Sequence, residues 1–504
     1  MRHPSTDELA ELAADLGISF ADGELEDYAQ IVADTLDLIE GVDEMPSPQL
    51  PPREYKYTDR GLGYQPDDEE DPHNAWITKC HIEGADSGPL ADKTVGLKDN
   101  ISVAGIELTN GSEVMRGYVP DVDATAVSRL LEAGATIKGK NNMSGFSFGA
   151  SSYGPAKNPN APDYSIGGSS SGTAAAIAAG DVDVGLGGDQ GGSIRIPCSF
   201  GGIVGMKPTT GLIPYTAIFG ADASLDHTGP MARTVEDAAA TLEAVAGRDG
   251  LDPRQPHDLE VQEYSAALEN DISNMTVAVL QEGFEHDASD PQVNEVVQDA
   301  IAELEKMGAE VTKLSVPGHL DAAAISYTIL AYGTGQTLKQ NGAVSGFDGW
   351  YDTGAMEYLG RALDARSSDL PITVKNAMLT TEYIQQNYEG SIYGKAQNVV
   401  HKLREAYNDA LEDVDALVMP TSPIKPPEFG GMRGMDVMKE NGPGFEMALN
   451  TSLFDLTDHP ALTVPCGETD GAPVGLMFVG ERFDEATLFQ LGYAYEQNIT
   501  AIKT

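Results

Sequence analysis

The stretch GGDQGGSIRIPCSF, residues 187–200, decides how the fold and the chemistry of this chain are interpreted. Four glycines surround an acid, an amide and Ser193, and Arg195 follows two residues later. Glycines at this density are unfavourable inside helices and strands, which predicts a loop. Three explanations are open: a flexible linker, a phosphate-binding loop, or a serine held where backbone N–H groups meet a developing negative charge.

The sequence alternates between short β-rich runs and helical runs from about residue 75 onward. Strands are predicted at KTVGLKDNISVAG (one or two), ATIKG, DVDVGLG, TVAVL, DALVMP and ALTVP. Helices are predicted over residues 123–133, at GTAAAIAAG and TVEDAAATLEAVAG, over residues 291–307, and at DEATLFQLGYAYEQ. This alternation predicts an α/β fold around a mostly buried sheet. Residues 315–410 fit the alternation poorly and are expected to form a smaller lobe inserted in a domain of residues 76–504.

Residues 1–75 are predicted to be an α-helical extension that ends in a linker. Ser5 and Glu8 form a capping-box pattern at the start of the first helix. The second predicted helix ends at Gly41 and has one apolar stripe, which consists of Tyr28, Ile31, Val32, Leu36 and Ile39. The proline-rich segment MPSPQLPPREY follows and is typical of a linker. The stripe is expected to contact the rest of the protein or a second subunit.

The charge of the chain is strongly negative. It has 79 acidic and 31 basic residues, a formal net charge of −48, and the acids are spread along its whole length. Such a surface repels nucleic acid and anionic membranes, so neither is expected as a partner. The self-repulsion is screened in concentrated salt, where the Debye length is about 3 Å at 1 M. We therefore predict adaptation to a salt-rich cytoplasm.

The cysteines and the hydropathy agree with a cytoplasmic location. Cys80, Cys198 and Cys466 are far apart, lack metal-site spacing, and are expected to be reduced. The N-terminus shows no signal-peptide pattern, and no apolar run reaches the length of a membrane span.

Two short motifs suggest other functions, but each is weak evidence for the function that it suggests. GATIKGKN, residues 134–141, fits GxxxxGK but ends in Asn141 and lies in a predicted strand, which disfavours nucleotide binding. GSSSG, residues 168–172, fits the nucleophile elbow of an α/β-hydrolase. An esterase that uses Ser170 with the downstream His459 is therefore one alternative function, although His459 is more often structural.

Ser169, Ser193 and Lys98 are more informative as a group than singly. Ser169 and Ser193 lie 24 residues apart, and a predicted helix and strand separate them. That path leads away from and back to one end of the sheet, so both serines can lie there. Lys98, in VGLKDN, has unusually apolar neighbours for a lysine.

The segments VGLKDN, GGSSSGTAAAIAAG, GGDQGGSIRIP and GIVGMKPTTGLIP occur in this order and resemble the amidase signature family. DHTGPMARTVEDAA, DALVMPT and PALTVP…PVGLMFVG extend the resemblance over residues 75–500. In that family a serine nucleophile, a second serine in a cis peptide and a lysine form the catalytic triad. Gln190 and the helical extension resemble the branch linked to nitrile metabolism.

The resemblance implies a large mixed β-sheet flanked by helices and an amidase that uses no metal or organic cofactor. It implies that Ser193 is the nucleophile, Ser169 the cis serine and Lys98 the base. A small carboxamide would give a carboxylate and ammonia through an acyl-enzyme. It further implies a homodimer that pairs through the N-terminal helices.

The glycine-rich loop is expected to stabilise the oxyanion. The backbone N–H groups proposed for this are those of Gln190, Gly191, Gly192 and Ser193. Asp189 and Arg195 are expected to form a charge pair that holds the loop. Phe146 and Phe148 are candidates for an apolar acyl pocket, or else core aromatics, and Cys198 is expected to be a packing residue.

Two further alternatives remain open. The glutaminase subunit of the tRNA-dependent amidotransferase shares the fold, but it usually has DTGGS and RQP where this chain has DQGGS and RIP. It also lacks the 75-residue extension. A non-catalytic binding protein is disfavoured by the intact triad.

Overall fold

The computed structural model describes residues 1–45, 57–343, 346–388, 390–430 and 445–503. The chain forms two compact units, residues 1–56 and 57–504. The division falls earlier than the expected boundary at residue 75, because Arg60 pairs with Asp123 at 2.6 Å and Tyr64 bridges to Lys79 within the second unit. Most of the predicted linker lies in residues 46–56, outside the described residues.

The first unit contains two helices, α1 (Thr6–Asp15) and α2 (Glu24–Asp43). The capping box predicted for α1 is confirmed, with Ser5 N donating to Glu8 Oε2 at 2.7 Å and Glu8 N to Ser5 Oγ at 3.2 Å. Helix α2 continues to Asp43, beyond the predicted end at Gly41. Much of its apolar side is exposed, including Leu38 at 79%.

The second unit is built on one mixed sheet, in which eleven strands are described. The strands are β1 (Trp76–Ile82), β2 (Thr94–Lys98), β3 (Thr136–Asn141), β4 (Val184–Asp189), β5 (Val204–Lys207), β6 (His227–Ala232), β7 (Thr276–Leu280), β8 (Glu310–Leu314), β9 (Ala416–Pro420), β10 (Ala461–Thr469) and β11 (Ala472–Val479). Their order is β1-β3-β2-β4-β6-β5-β10-β11-β9-β7-β8. Strand β2 is parallel to both β3 and β4, whereas β6 is antiparallel to β4. The predicted α/β fold with a large mixed sheet is confirmed.

Helices flank this sheet, and five of them correspond to the predicted helical runs, whereas the others were not predicted as helices. They are α3 (Thr125–Glu132), α4 (Ser171–Ala179), α5 (Arg195–Gly201), α6 (Val235–Val245), α7 (Pro291–Lys306), α8 (Ala322–Lys339), α9 (Thr353–Arg366), α10 (Ile372–Tyr388), α11 (Ser391–Leu411), α12 (Ser452–Leu456) and α13 (Glu485–Lys503). No helix in the described ranges is sufficiently long and apolar to cross a membrane.

Helices α8 to α11 occupy most of the segment that was expected to form an inserted lobe. Ile325 of α8 and Val400 of α11 lie in one apolar cluster with Leu417 and Met419 of β9. Because these helices share a core with the sheet, the segment belongs to the same compact unit as the strands.

The strand order determines where the chemistry lies. Parallel neighbours end at the same edge of a sheet, and β2 ends at Lys98 where β4 ends at Asp189. The loop of residues 190–194 begins at this edge and leads into α5. Helix α4, which follows Ser169, is almost entirely buried. The fold therefore brings the three predicted segments together.

Candidate active site

Lys98 is fully buried at the end of β2. Its Nζ donates to Ser169 Oγ at 2.7 Å and to the Gly188 carbonyl at 2.9 Å. Burial lowers the pKa of Lys98 to about 7, although Asp189 and Asp226 act in the opposite direction. A lysine in this state is neutral at neutral pH in a substantial fraction of molecules, so it can accept a proton.

Ser169 lies in the turn before α4, and the Gly168–Ser169 peptide bond is cis, as the resemblance implies. The Ser169 carbonyl accepts a hydrogen bond from Ser144 N at 3.1 Å. Since Lys98 Nζ donates to the Ser169 hydroxyl, the hydroxyl proton is free to point elsewhere. The Ser169 hydroxyl can therefore accept from the buried amine and donate its own proton to a second group.

Ser193 lies half-buried in the glycine-rich loop. Its carbonyl accepts a hydrogen bond from Ser170 N at 3.2 Å, which joins the two serine clusters. No hydrogen bond from Ser193 Oγ to Ser169 Oγ is present within the described ranges of the chain. A hydrogen bond therefore joins Lys98 to Ser169, whereas none joins Ser169 to Ser193 in the described structure.

The Asp189 carboxylate holds the glycine-rich loop by accepting hydrogen bonds from its backbone. It accepts hydrogen bonds from the backbone N–H groups of Gly191 at 3.3 Å and Ile194 at 3.0 Å, and a shorter one from Gly192. Gly192 has a φ of 126°, and a Cβ there would lie 2.2 Å from Thr451 Oγ1. This close approach is the structural reason for a glycine at that position.

One predicted oxyanion donor needs correction. The Gly192 N–H donates to Asp189, so it is not available to a substrate oxygen in this geometry. The Gly191 contact is long and weak, and Gly191 keeps much of its donor capacity. The N–H groups of Gln190, Gly191 and Ser193 remain the candidates.

Arg195 anchors the loop from the side of α5, as predicted, but with partners that the sequence did not reveal. The guanidinium contacts Asp189 at 3.0 Å, Asp455 at 2.8 Å and the Thr451 carbonyl at 2.9 Å, and all three charged side chains are fully buried. Burial would raise the pKa of Asp189, but Arg195 holds it well below its usual range. Asp455 lies in α12 and Thr451 directly precedes that helix, so both are far from the loop in sequence.

Replacing Arg195 by methionine is expected to lower the free energy of unfolding by about 3–5 kcal/mol, because it leaves the Asp189 charge buried and unpaired. Arg361→Met removes an exposed pair with Glu357 and should cost at most about 1 kcal/mol. Chemical denaturation of both variants measures the difference. Equal losses would contradict the anchoring role.

Gln190 connects the loop to a second buried group. Its Nε2 donates to Tyr215 Oη at 3.0 Å and to Asp226 Oδ1 at 3.1 Å. Its Oε1 is buried and has no hydrogen-bond partner within the described ranges. Burial raises the pKa of Asp226 to about 7, partly offset by the Ala221 N–H and by Arg254. Sequence patterns alone did not single out Asp226 or Tyr215.

The two candidate pocket aromatics differ. Phe146 is buried in a core cluster with Leu108 and Leu359, and it meets Phe219 edge-on with ring centroids 5.7 Å apart. Phe148 is half-buried and contacts Tyr327, with ring centroids 6.0 Å apart. Of the two, Phe148 therefore stays the better candidate for a substrate wall.

The structure does not assemble the motifs for the other functions. Ser170 Oγ bonds to the Gly188 backbone, whereas His459 bonds to Asn408 and Thr457, so the esterase pair is not formed. Lys140, in GATIKGKN, is buried on β3 and pairs with Asp99 at 2.9 Å. Cys198 is buried, and its burial raises the pKa of the thiol. No cluster of three metal-ligating side chains is found in the parts of the chain that the structure describes.

This chain is similar to known proteins over most of its length. A family model described as Amidase matches residues 73–489. An enantioselective amidase of Rhodococcus rhodochrous is 37% identical over 508 residues, which cover 98% of this chain and 96% of that protein.

Two comparisons are with the A subunit of glutamyl-tRNA(Gln) amidotransferase. The subunit from Natronomonas pharaonis is 38% identical over 432 residues, 84% of this chain and 99% of its own length. The solved structure of the subunit from Thermotoga maritima superposes with a TM-score of 0.71 at 30% identity, over 85% of this chain and 88% of that one.

Proposed function

Because this chain belongs to the amidase family, we propose that it hydrolyses small carboxamides to a carboxylate and ammonia with Ser193, Ser169 and Lys98 as its catalytic triad. The observation that carries the proposal is the 2.7 Å hydrogen bond from the fully buried Lys98 amine to Ser169 Oγ. A buried lysine without a carboxylate partner, beside a serine hydroxyl, is the arrangement that a general base requires.

The reaction follows from these positions. Ser193 Oγ attacks the amide carbonyl carbon, and its proton passes through Ser169 Oγ to neutral Lys98. The same relay in reverse protonates the leaving nitrogen, so that ammonia departs and an ester on Ser193 remains. Water then attacks the ester carbonyl carbon while the relay accepts its proton. The bond between that carbon and Ser193 Oγ breaks, the relay returns the proton to Ser193 Oγ, and the acid leaves as a carboxylate after giving its own proton to solvent.

The oxyanion of each tetrahedral intermediate is proposed to meet the N–H groups of Gln190, Gly191 and Ser193. Loss of one donor of this kind typically costs about 10²–10³ in rate. Asp189 and Arg195 hold the loop, and no metal or organic cofactor is proposed.

The pH dependence tests the base directly. Below a pKa of about 7 the Lys98 ammonium cannot accept a proton, so kcat/KM should fall about tenfold per pH unit there and level off above it. Asp226→Asn removes a carboxylate that raises the pKa of Lys98, so this limb should move to lower pH. The exposed Asp299→Asn is the control. A limb that disappears in Asp226→Asn would belong to Asp226 instead.

The amidotransferase subunit remains the second candidate, supported by its 38% identity. The match to the enantioselective amidase extends over 98% of this chain against 84% for the subunit, which favours the amidase. The test is an assay of the purified chain on simple carboxamides and on glutamine, without partner subunits or ATP. Activity on simple carboxamides alone supports the amidase, whereas glutamine hydrolysis that requires partners supports the subunit.

We also propose a salt-adapted cytoplasmic homodimer related to the nitrile-linked amidases, without a nucleic-acid or membrane partner. The net charge of −48 supports the salt adaptation, and the exposed Ile31 and Leu38 of α2 support pairing through the N-terminal helices. Light scattering checks the dimer, and a monomer would refute it. Circular dichroism across a salt series checks the adaptation, which a fold unchanged in salt-free buffer would refute.

A further inference from the structure

A partly open cavity of about 130 Å³ adjoins Tyr215 and Asp226, the two residues to which the Gln190 side chain donates hydrogen bonds. It is lined by residues of the segment after β5, by α8 and by the residues around the start of α9. None of the three triad residues lines it. Its volume is close to that of an engineered cavity of about 150 Å³ that binds benzene, so it can hold a ligand with one aromatic ring.

The walls of the cavity are rich in aromatic rings. The aromatic residues that line it include Tyr118, Tyr215, Phe219, Trp350 and Tyr351. The faces of such rings carry partial negative charge and attract cations, most strongly where water is excluded. An aromatic wall of this kind favours a ligand that has both an apolar body and a positive charge.

The acidic side chains of the lining are not neutralised. Asp252 pairs with Arg254 at 2.6 Å, which leaves Asp222, Asp226 and Asp352. Among the described residues none of these three has a lysine, arginine or histidine within ion-pair distance. Burial raises the pKa of Asp352 above its usual range, as it does that of Asp226. A bound cation would stabilise the charged forms of these carboxyl groups, to which the described residues supply no direct ion pair.

These carboxylates are held in place by neutral donors. Asp352 accepts hydrogen bonds from Tyr118 Oη at 3.0 Å and from Ala355 N at 2.9 Å. Asp222 accepts one from Tyr393 Oη at 2.9 Å. Their positions are therefore fixed before any ligand arrives, which lowers the cost of binding.

An unpartnered polar group also lies in the wall. Thr216 is 5% exposed, lines the cavity, and its hydroxyl has no hydrogen-bond partner among the described residues. A buried hydroxyl without a partner costs free energy unless a ligand or an ordered water satisfies it. This observation is independent of the carboxylates and points to an occupant.

We propose that this cavity is a binding site for an organic cation, namely a primary or quaternary ammonium on a body of about one aromatic ring. The ammonium faces the carboxylates of Asp222 and Asp352, and the ring packs against the aromatic wall. The cavity adjoins Tyr215 and Asp226, both of which Gln190 contacts, so an occupant is one side chain away from the catalytic loop.

The test is a titration of the full-length protein with benzylammonium, followed by calorimetry and by tryptophan fluorescence. The chain has two tryptophans, and Trp350 lines the cavity whereas Trp76 lies on β1. Benzylammonium should bind saturably and change the emission. Benzyl alcohol, which has the same shape without the charge, should bind about tenfold more weakly.

Asp352→Asn is the diagnostic variant, since asparagine keeps the N-cap of α9 and removes the charge. It should weaken benzylammonium binding about tenfold, as should Asp222→Asn. The exposed Asp299→Asn should leave the affinity unchanged. Equal binding of the two ligands, or equal affinities of Asp352→Asn and Asp299→Asn, would overturn the proposal.

Inhibition kinetics identify which molecule carries the ammonium into the cavity. Competitive inhibition of amide turnover by benzylammonium means that the substrate itself carries the cation into the cavity. A noncompetitive effect means that a separate ligand occupies it. The binding measurement requires no turnover, so a failure of the proposed amidase activity leaves this inference standing, and the reverse also holds.

Discussion

Replacing Ser193 by alanine is expected to lower kcat for carboxamide hydrolysis by about 10⁴- to 10⁶-fold, because the acyl-enzyme can no longer form. The substitution removes a half-buried hydroxyl that makes no hydrogen bond to Ser169, so the free energy of unfolding should change little. The measurement is steady-state turnover of a simple amide, together with a denaturation curve. Residual activity would come from the loop donors and from substrate binding alone.

Ser170→Ala is the matched comparison for Ser193→Ala. The Ser170 hydroxyl supports the backbone of Gly188 and does not contact Lys98. Its loss should therefore reduce turnover far less than the loss of Ser193. The reverse order, with Ser170→Ala inactive and Ser193→Ala active, would refute the assignment of the nucleophile and revive the esterase alternative.

Lys98→Met is expected to lower kcat by about 10²- to 10⁴-fold, which is the usual contribution of a general base. Methionine fills a similar volume in the buried site, so the cavity term is small. The stronger readout is the pH profile. In this variant the acidic limb near pH 7 should disappear, since the group that titrates there is gone.

Lys207→Met supplies the control for buried lysines in general. Lys207 is also fully buried, its pKa is lowered to about 8 by burial, and its Nζ donates only to the Pro208 carbonyl in the described structure. This variant should keep the limb near pH 7 at full amplitude. A limb that survives in Lys98→Met, or vanishes in Lys207→Met, would contradict the role assigned to Lys98.

Local patterns predicted much of the fold because local physics governs those elements. The capping box at Ser5 is made by groups three residues apart, and the runs TVGLK and DVDVGLG need only their own hydropathy to be recognised as strands. The sequence assigns Lys98, Ser169 and Ser193 through the family resemblance, and the structure places Lys98 and Asp189 at one edge of the sheet because β2 and β4 are neighbours. These residues lie within one continuous part of the chain.

Contacts across the sheet could not be predicted in this way. Arg195 meets Asp455 only because β5 pairs with β10, and no local signal joins residues so far apart. The ion pair of Arg60 with Asp123 could not be predicted either, because these residues are also far apart in sequence. This pair attaches residues 57–75 to the second unit. Long-range ion pairs depend on tertiary structure that hydropathy does not encode.

Burial lowers the pKa of Lys98, and the negative charges of Asp189 and Asp226 oppose this shift. Both are buried, and bulk salt screens buried charges weakly. We therefore expect bulk salt to shift the pKa of Lys98 only through the charges of the distant surface.

The separation of the triad from the cavity has an evolutionary consequence. The proposed triad and Arg195 lie within residues 98–195, whereas one part of the cavity wall comes from residues 337–343 and 347–356, between β8 and β9. Mutations in the later segment can alter ligand preference while the bond-breaking apparatus stays intact. Directed evolution of selectivity should therefore begin with a library confined to residues 337–356.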